Sequence, residues 1–471
     1  MAKESMFETA QPVEKAILIG IDRSGGVRSP ANATANGSAS GITPANPGWS
    51  LSESLAELER LVITAGAEVV GSLSQRLASP NPRTYIGKGK VAEMVEAVRD
   101  YHADLVVFDE ELSPTQQSNL EKELEKVSWD VKLIDRTALI LDIFALHATT
   151  REGRLQVRLA QNQYLLPRLR GMWAHLVAGR MGGGVGSRFG EGESQLEVDR
   201  RMIRRRIESI RGELKKLQAD RATQRSARLG SGIFRIALAG YTNAGKSTLL
   251  NYLTQADVLV YDQLFATLDS TTRRLLLPDG GEATLTDTVG FIQKLPTTLV
   301  EAFRSTLDEI TNADLILHIV DASSSQRDEQ IEATAEVLQQ IGAQEIPQTV
   351  VYNKCDLLPP EEAQALQRSK PNAQLISAAT GEGIAGLLAH IQAAAYASSR
   401  FMEVLIPFDK GNLVNLAYQR TTIVSERYTE NGTWMQLRVP PVITAQFEPY
   451  VDKSGAGASA YSADTPDIID A

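Results

Sequence analysis

The chain has one cysteine, Cys355, in 471 residues. A single thiol excludes an internal disulfide and suits a reducing compartment. No apolar run reaches the roughly 18–20 residues that a bilayer-spanning helix needs. The opening "MAKESMFETAQPVEK" lacks the apolar core of a signal peptide, so export is not expected. Nor is there an excess of positive charge: the net formal charge is −10, which argues against a surface devoted as a whole to nucleic acid. What is present is the composition of an ordinary globular protein, at a length that allows roughly three domains. A cytoplasmic location is expected, and nothing in the sequence requires more than a monomer.

Residues 1–50 hold one strand pattern, "KAILIGID" (Lys15–Asp22), and then a tract rich in Gly, Ala, Asn, Ser and Pro. That tract cannot bury a core and is expected to be a disordered insertion. From 51 to 148, strand patterns such as "AEVVGSL", "DLVVFD" and "VKLID" alternate with amphipathic helical patterns. The alternation predicts a small parallel α/β subdomain. Over 149–232 the period changes. Leu155, Leu159, Asn162, Leu166 and Leu169 follow heptad-like spacing, as do Leu196, Ile203, Ile207, Ile210, Leu214 and Leu217. Two such stripes joined by a glycine loop predict an antiparallel helical hairpin. Its second helix is expected over Leu196–Arg225, about 45 Å long at the usual rise per residue. Pro167 is expected to kink or end the first. Residues 233–399 read as a doubly wound α/β domain, 400–450 as a small α+β domain, and 451–471 as an unstructured tail.

Within the third region, "GYTNAGKST" runs from Gly240 through Tyr241, Thr242, Asn243, Ala244, Gly245, Lys246 and Ser247 to Thr248. It matches the phosphate-binding loop and lies between a strand and a helix, where the mechanism requires it. Its glycines allow backbone N–H groups to wrap phosphate oxygens, Lys246 can reach the β- and γ-phosphates, and Ser247 can ligate Mg²⁺. "DTVG" then places Asp287 at a strand end, suited to hold Mg²⁺ through water. Thr288 and Val289 follow, and then Gly290, whose N–H can meet the γ-phosphate.

"NKCD" supplies Asn353 to brace the loop and contact the base, Lys354 to lie along the base plane, and Cys355 at a variable position. Asp356 can accept hydrogen bonds from the N1–H and amine of guanine; a buried carboxylate there would reject adenine. "SAA" (Ser377, Ala378, Ala379) offers a backbone N–H to the guanine carbonyl. The four motifs in this order predict a GTPase that uses GTP, GDP and Mg²⁺.

Between them, "FATLD" (Phe265, Ala266, Thr267, Leu268, Asp269) lies in the segment that should respond to the γ-phosphate. Thr267 is the choice for the metal-linked hydroxyl, with Thr271 and Thr272 as rivals. Phe291 stands where efficient GTPases carry a glutamine that orients water. Slow intrinsic hydrolysis, stimulated by a partner, is therefore expected. His318 reads as a core residue, and Arg273, Arg274 and Arg304 as solvated surface.

A second glycine-rich stretch, "GRMGGGVGSRFGEGESQLEVDRRMIRRRI" (Gly179–Ile207), joins two helices and has no Lys–Ser pair, so it is a poor nucleotide cradle. Residues 151–232 carry 18 Lys/Arg against 8 Asp/Glu, an excess of +10 in an acidic chain. A slender tip with Gly182, Gly183 and Gly184, flanked by Arg180, Arg188, Arg200, Arg201, Arg204 and Arg205, fits RNA contact.

"YIGKGKVAE", "QVRLAQNQYLLPRLRGMW", the glycine-rich stretch, "GYTNAGKSTLLN", "FATLDSTTRRL", "DTVGFIQKLP" and "NKCD" together resemble the HflX family of translational GTPases. The resemblance covers about Leu51 to Ser399. It implies GTP-dependent binding to the large ribosomal subunit and its rRNA, with the glycine tip reaching the peptidyl-transferase region. It further implies splitting of stalled ribosomes under stress, hydrolysis stimulated by ribosomes, and Thr267 as the metal-linked threonine. The family's G-P-G-E-T-Q is "GEGESQ" (Gly190–Gln195) here, so a looser tip with lower RNA affinity is expected. The tract after Asp22 and the acidic tail also depart from the family. "YIGKGK" (Tyr85–Lys90) reads either as a minor phosphate or RNA contact or as a tight turn opening a helix. The rival functions are a large-subunit assembly GTPase and an RNA-binding module that uses GTP only as a switch.

Overall fold

The computed structural model describes residues 13–23, 49–178, 189–229, 233–255, 264–265, 267–278, 280–296, 299, 303–397 and 399–452. The expected insertion after Asp22, the tail beyond Asp452 and the glycine tip with Arg180, Gly182, Gly183, Gly184 and Arg188 lie outside them.

The N-terminal region is built from β1 (Lys15–Asp22), α1 (Leu51–Thr64), β2 (Glu68–Arg76), α2 (Lys88–Tyr101), β3 (Leu105–Phe108), α3 (Pro114–Leu124), β4 (Lys132–Asp135) and α4 (Arg136–His147). The strands pair in parallel in the order β2-β1-β3-β4. Strand β1 is apolar on both sides because both are covered: Ala16 and Leu18 join one buried cluster, Ile17 and Ile19 another. Reciprocal capping boxes start α1 (Ser50 with Glu53) and α3 (Ser113 with Gln116, Pro114 following). Tyr85, in "YIGKGK", is buried with φ +63°, and Gly87 caps α2, so this stretch is a turn that opens the helix.

Helices α5 (Arg151–Ala178) and α6 (Phe189–Leu229) follow. Leu155 and Leu159 of the first pack against Ile207, Ile210 and Leu214 of the second, with Leu166, Ile203 and Leu217 alongside. Two expectations need correction. Helix α5 runs through Pro167, so of the expected kink or end the end is excluded; a proline removes one intrahelical bond, and the neighbouring Arg168 adds tertiary anchors by bonding Leu112 O at 2.6 Å and Asp135 at 3.3 Å. Helix α6 begins at Phe189 and has 41 residues, about 60 Å, so Gly190–Gln195 belong to its backbone and not to a loop.

The third region contains β5 (Phe234–Gly240), α7 (Lys246–Thr254), β6 (Thr271–Leu276), β7 (Glu282–Asp287), α8 (Arg304–Thr311), β8 (Leu315–Asp321), α9 (Arg327–Gln340), β9 (Gln348–Asn353), α10 (Pro360–Ser369), β10 (Gln374–Leu375) and α11 (Ile384–Ala397). Its sheet has the order β10-β9-β8-β5-β7-β6, with β5, β8, β9 and β10 pairing in parallel. The order turns back beside β5, and in open α/β sheets ligands bind at the carboxyl ends next to such a reversal. The remaining elements, β11 (Arg400–Ile406), α12 (Gly411–Arg420), β12 (Thr422–Thr429), β13 (Gly432–Val439) and α13 (Pro441–Phe447), form an antiparallel sheet β11-β13-β12 with its own core around Val404, Met435, Leu437 and Phe447.

By contacts the chain divides into two compact units. One comprises Met1–Asp220, Arg235–Arg274 and Leu285–Ile384; the other Arg221–Phe234, Leu275–Thr284 and Ala385–Ala471. Among the described residues no helix is long and apolar enough to cross a membrane.

Candidate nucleotide site

Strand β5 ends at Gly240, and the loop to α7 carries the phosphate-loop residues. Gly245 sits at φ +93°, and a Cβ there would lie 2.2 Å from Asn353 Nδ2, so only glycine fits the turn. Lys246 is buried; its ammonium donates to Gly240 O at 3.1 Å and Tyr241 O at 2.8 Å. Burial pushes its pKa down to about 8 against the upward pull of Asp287. Gly290 borders this lysine: a Cβ on it would lie 3.0 Å from Lys246 Nζ. Thr242 N donates to Phe291 O at 2.7 Å and Phe291 N to Gly240 O at 3.1 Å, tying the phosphate loop to the segment after Asp287.

Ser247 Oγ donates to Asp287 Oδ2 at 2.6 Å and lies 2.7 Å from Thr267 Oγ1. Of the three threonines weighed, Thr267 thus stands beside Ser247, whereas Thr271 and Thr272 lie in β6 and Thr272 pairs with Thr286 at 3.0 Å. Two hydroxyls and a carboxylate are a hard-oxygen set suited to Mg²⁺. Among the described residues Asp287 Oδ1 is buried without a hydrogen-bond partner, and burial raises the carboxyl's pKa, as expected of a group suited to pair with a cation. The residues present therefore fit the ion.

The base-binding loop is braced from both sides. Asn353 Nδ2 donates to Ala244 O at 2.8 Å, and its Oδ1 accepts from Ala378 N at 2.9 Å. Lys354, at φ +65°, is paired with Asp321 at 2.7 Å, a partner the motif did not announce. Asp356 is exposed, unlike the buried carboxylate expected, and Cys355 is buried beside it. Ser377 is buried and its Oγ accepts from Thr380 N at 3.1 Å, shaping the loop. If Asp356 accepts from the guanine amine, replacing it with Asn would set an amide donor against that amine. The expected outcome is a loss of GTP affinity of about 10²-fold or more with a gain for xanthosine triphosphate, read by competition titration.

Other placements differ in informative ways. Phe291 is buried among Ala237, Ala239, Leu307 and Ile310, so it faces the core and cannot direct a water. His318 is buried in β8, with its pKa pushed down to about 4 by burial and then by Lys246, as a neutral core residue should be. Arg273 and Arg274 are exposed; the Arg304 side chain and all of Ala266 lie outside the described residues. Phe265 and Leu268 are core residues, and the Asp269 carboxylate is held by Thr149 and Thr150.

Motif reading did not find a buried charged cluster reaching the site from the N-terminal region. Arg136 bonds Glu57 and Asp109, each at 2.7 Å, and Lys294 bonds Asp109 at 2.6 Å. The Tyr241 hydroxyl donates to Glu57 and accepts from Gln293 N at 2.6 Å. Burial alone would lower the Arg136 pKa, but Asp109 and Glu57 raise it and keep the guanidinium charged. These partners are far apart in sequence, so no local pattern could signal them.

Three family descriptions match the chain: a GTP-binding GTPase N-terminal region over 52–145, a GTP-binding GTPase middle region over 147–228, and a 50S ribosome-binding GTPase over 235–354. The chain is 44% identical to the GTPase HflX of Caldanaerobacter subterraneus over 93% of each protein. It is 43% identical to that of Escherichia coli K12 over 83% of this chain and 90% of the relative. A GTP-binding protein from the archaeon Sulfolobus solfataricus, solved with GDP, is similar with TM-score 0.40 and 23% identity, across 82% of this chain and 99% of that one. With identity at this level sustained from the N-terminal α/β region through the nucleotide site, the chain belongs to the HflX family of GTPases.

Proposed function

We propose that this GTPase binds the large ribosomal subunit in its GTP state and splits stalled or idle ribosomes, with hydrolysis releasing it. The observation that carries the reading is the outer side of α6. Its apolar stripe is buried against α5, while Arg201, Arg204, Arg205, Arg206, Arg211, Lys215 and Lys216 remain exposed and Arg200 half-buried. A basic ridge on an acidic chain is suited to rRNA phosphates, through which salt-dependent affinity arises. The match to a 50S ribosome-binding GTPase model and the relatives' common name support the same reading.

In this proposal Ser247, Thr267 and Asp287 would hold Mg²⁺, directly or through water, and the ion would supply the positive charge that offsets the phosphates. Lys246 turns from the loop carbonyls to the phosphates. Asp356 accepts from guanine, and the Ala379 N–H is the donor for its carbonyl oxygen. Because Phe291 is buried, the group that orients water comes from the ribosome or is exposed by binding it. The protein works as a monomer in the cytoplasm.

Gradient sedimentation of purified ribosomes with the protein tests the proposal. A shift of intact ribosomes to subunits with GTP or a non-hydrolysable analogue, but not with GDP, is expected. Ribosomes that stay intact would refute splitting. Precursor rRNA accumulating in a deletion strain without such activity would favour subunit assembly instead, and turnover unchanged by saturating ribosomes would favour a simple RNA-binding switch.

A further inference from the structure

Asp269 lies two residues after Thr267, and its carboxylate is not turned to the nucleotide loop. It accepts from Thr149 N at 3.0 Å, Thr149 Oγ1 at 2.7 Å, Thr150 N at 2.8 Å and Thr150 Oγ1. Thr150 is at the same time the cap of α5: its Oγ1 accepts from Gly153 N at 2.9 Å and its carbonyl from Arg154 N at 3.1 Å. A carboxylate at the amino end of a long helix is favourably placed for the helix dipole as well. The approach is so close that a Cβ on Gly153 would lie 2.3 Å from Asp269 Oδ1. The same short segment is held a second time by Phe265, packed edge-to-face on Phe144 of α4 with ring centroids 4.6 Å apart.

We propose that Asp269 is a positioning residue for GTP: by docking on Thr149, Thr150 and Gly153 it holds Thr267 beside Ser247 and Asp287, so the base of α5 sets the affinity for the triphosphate. Two residues of backbone span only about 7 Å. A fixed Asp269 therefore leaves Thr267 little freedom, and a Thr267 engaged through the γ-phosphate draws Asp269 onto the helix. The coupling is reciprocal, since each event favours the other. GDP gains nothing from it, because the threonine hydroxyl is called upon only when the γ-phosphate is present. The inference rests on Thr267 as a metal-linked residue, but not on ribosome splitting.

Binding of fluorescent GDP and of a fluorescent non-hydrolysable GTP analogue, each with Mg²⁺, to the full chain tests it. Asp269→Ala and Gly153→Ala are each expected to weaken the GTP analogue by about 5–150-fold, the usual range of coupling between sites, and to leave GDP unchanged. Gly153→Ala is the sharper variant, since alanine favours a helix intrinsically and the melting temperature should not fall. In an Asp269→Ala background, adding Gly153→Ala should have little further effect, because the 2.3 Å collision is gone and only Thr150 Oγ1, at 3.2 Å, stays close. Unchanged affinity for both nucleotides in the single variants, or parallel loss of both together with melting temperature, overturns the proposal. Thr267→Ala separates the two layers. If it weakens the GTP analogue while Asp269→Ala does not, the dock is wrong; if it leaves the analogue's affinity intact, the metal assignment is wrong and the dock falls with it.

Discussion

Replacing Lys246 with alanine is expected to lower GTP turnover by about 10²–10³-fold, the loss typical of removing one preorganised group that meets developing transition-state charge. The ammonium already lies inside the loop, bonded to Gly240 O and Tyr241 O, so little reorganisation is needed to meet a phosphate. A pH dependence follows from its environment. Burial holds the pKa at about 8, below the ordinary 10.5, and a triphosphate must raise it again. Above pH 8 the free protein has lost this proton and GTP binding takes it up, so Kd should rise with pH, by at most about tenfold per unit. Folding has the opposite sign over the same window. Between about 8 and 10.5 the unfolded chain binds more protons here, so this site's contribution to stability increases with pH. Single-turnover hydrolysis and nucleotide titrations from pH 7 to 9.5 check both expectations. A flat Kd across that range would show that Lys246 does not carry the proton.

Arg136→Met should give the largest loss of stability. It leaves Glu57 and Asp109 buried and short of their cation, and breaking such a pair costs about 3–5 kcal/mol. In a structure of this size that lowers the melting temperature by roughly 5 °C. The deficit should depend on pH. In the intact protein burial opposes ionisation of Asp109, but Arg136 and Lys294 outweigh it and keep its pKa below the usual value. That contribution is present above the unfolded pKa of about 3.9 and lost as pH falls through the folded one. Without Arg136 the Asp109 pKa rises, so its protonation relieves part of the defect and the difference from the parent should be smaller at pH 5 than at pH 8. Adding Glu57→Gln and Asp109→Asn should recover part of the loss. Because Tyr241 and Lys294 touch the same carboxylates, nucleotide affinity should fall too. Differential scanning fluorimetry over the pH range, with and without GDP, reads all of this.

The placement of most candidate-site residues was legible because their arrangement is local. The turn at Gly245 and the lysine and serine after it are neighbours in the chain. The heptad stripes of α5 and α6 were legible for a similar reason, as periodicity survives wherever one side of a helix is buried. Helix α4 escaped because it has no polar side to reveal its period: Leu139, Ile140, Leu141, Ile143 and Phe144 are all buried. A helix end at Pro167 was the wrong half of that expectation because local propensity was weighed without the tertiary anchors of Arg168. The Arg136 cluster and the Asp269 dock join residues distant in sequence, 79 positions between Arg136 and Glu57, 185 between Lys294 and Asp109 and 120 between Asp269 and Thr149, and nothing in either neighbourhood marks them. Thr267 was preferred to Thr271 and Thr272 from the residues and again by the resemblance, although all three are hydroxyls on one stretch.

A capped helix end is also a pivot. From Thr150 the 28 residues of α5 extend about 42 Å, and a tilt of about 5° at the pivot would swing the far end through roughly 4 Å by lever geometry. A carboxylate seating or leaving at the near end is a displacement of atomic size. If Asp269 docks as proposed, leverage of this kind would carry the loss of one phosphate several side-chain widths along α5, as far as the Arg168 anchors yield.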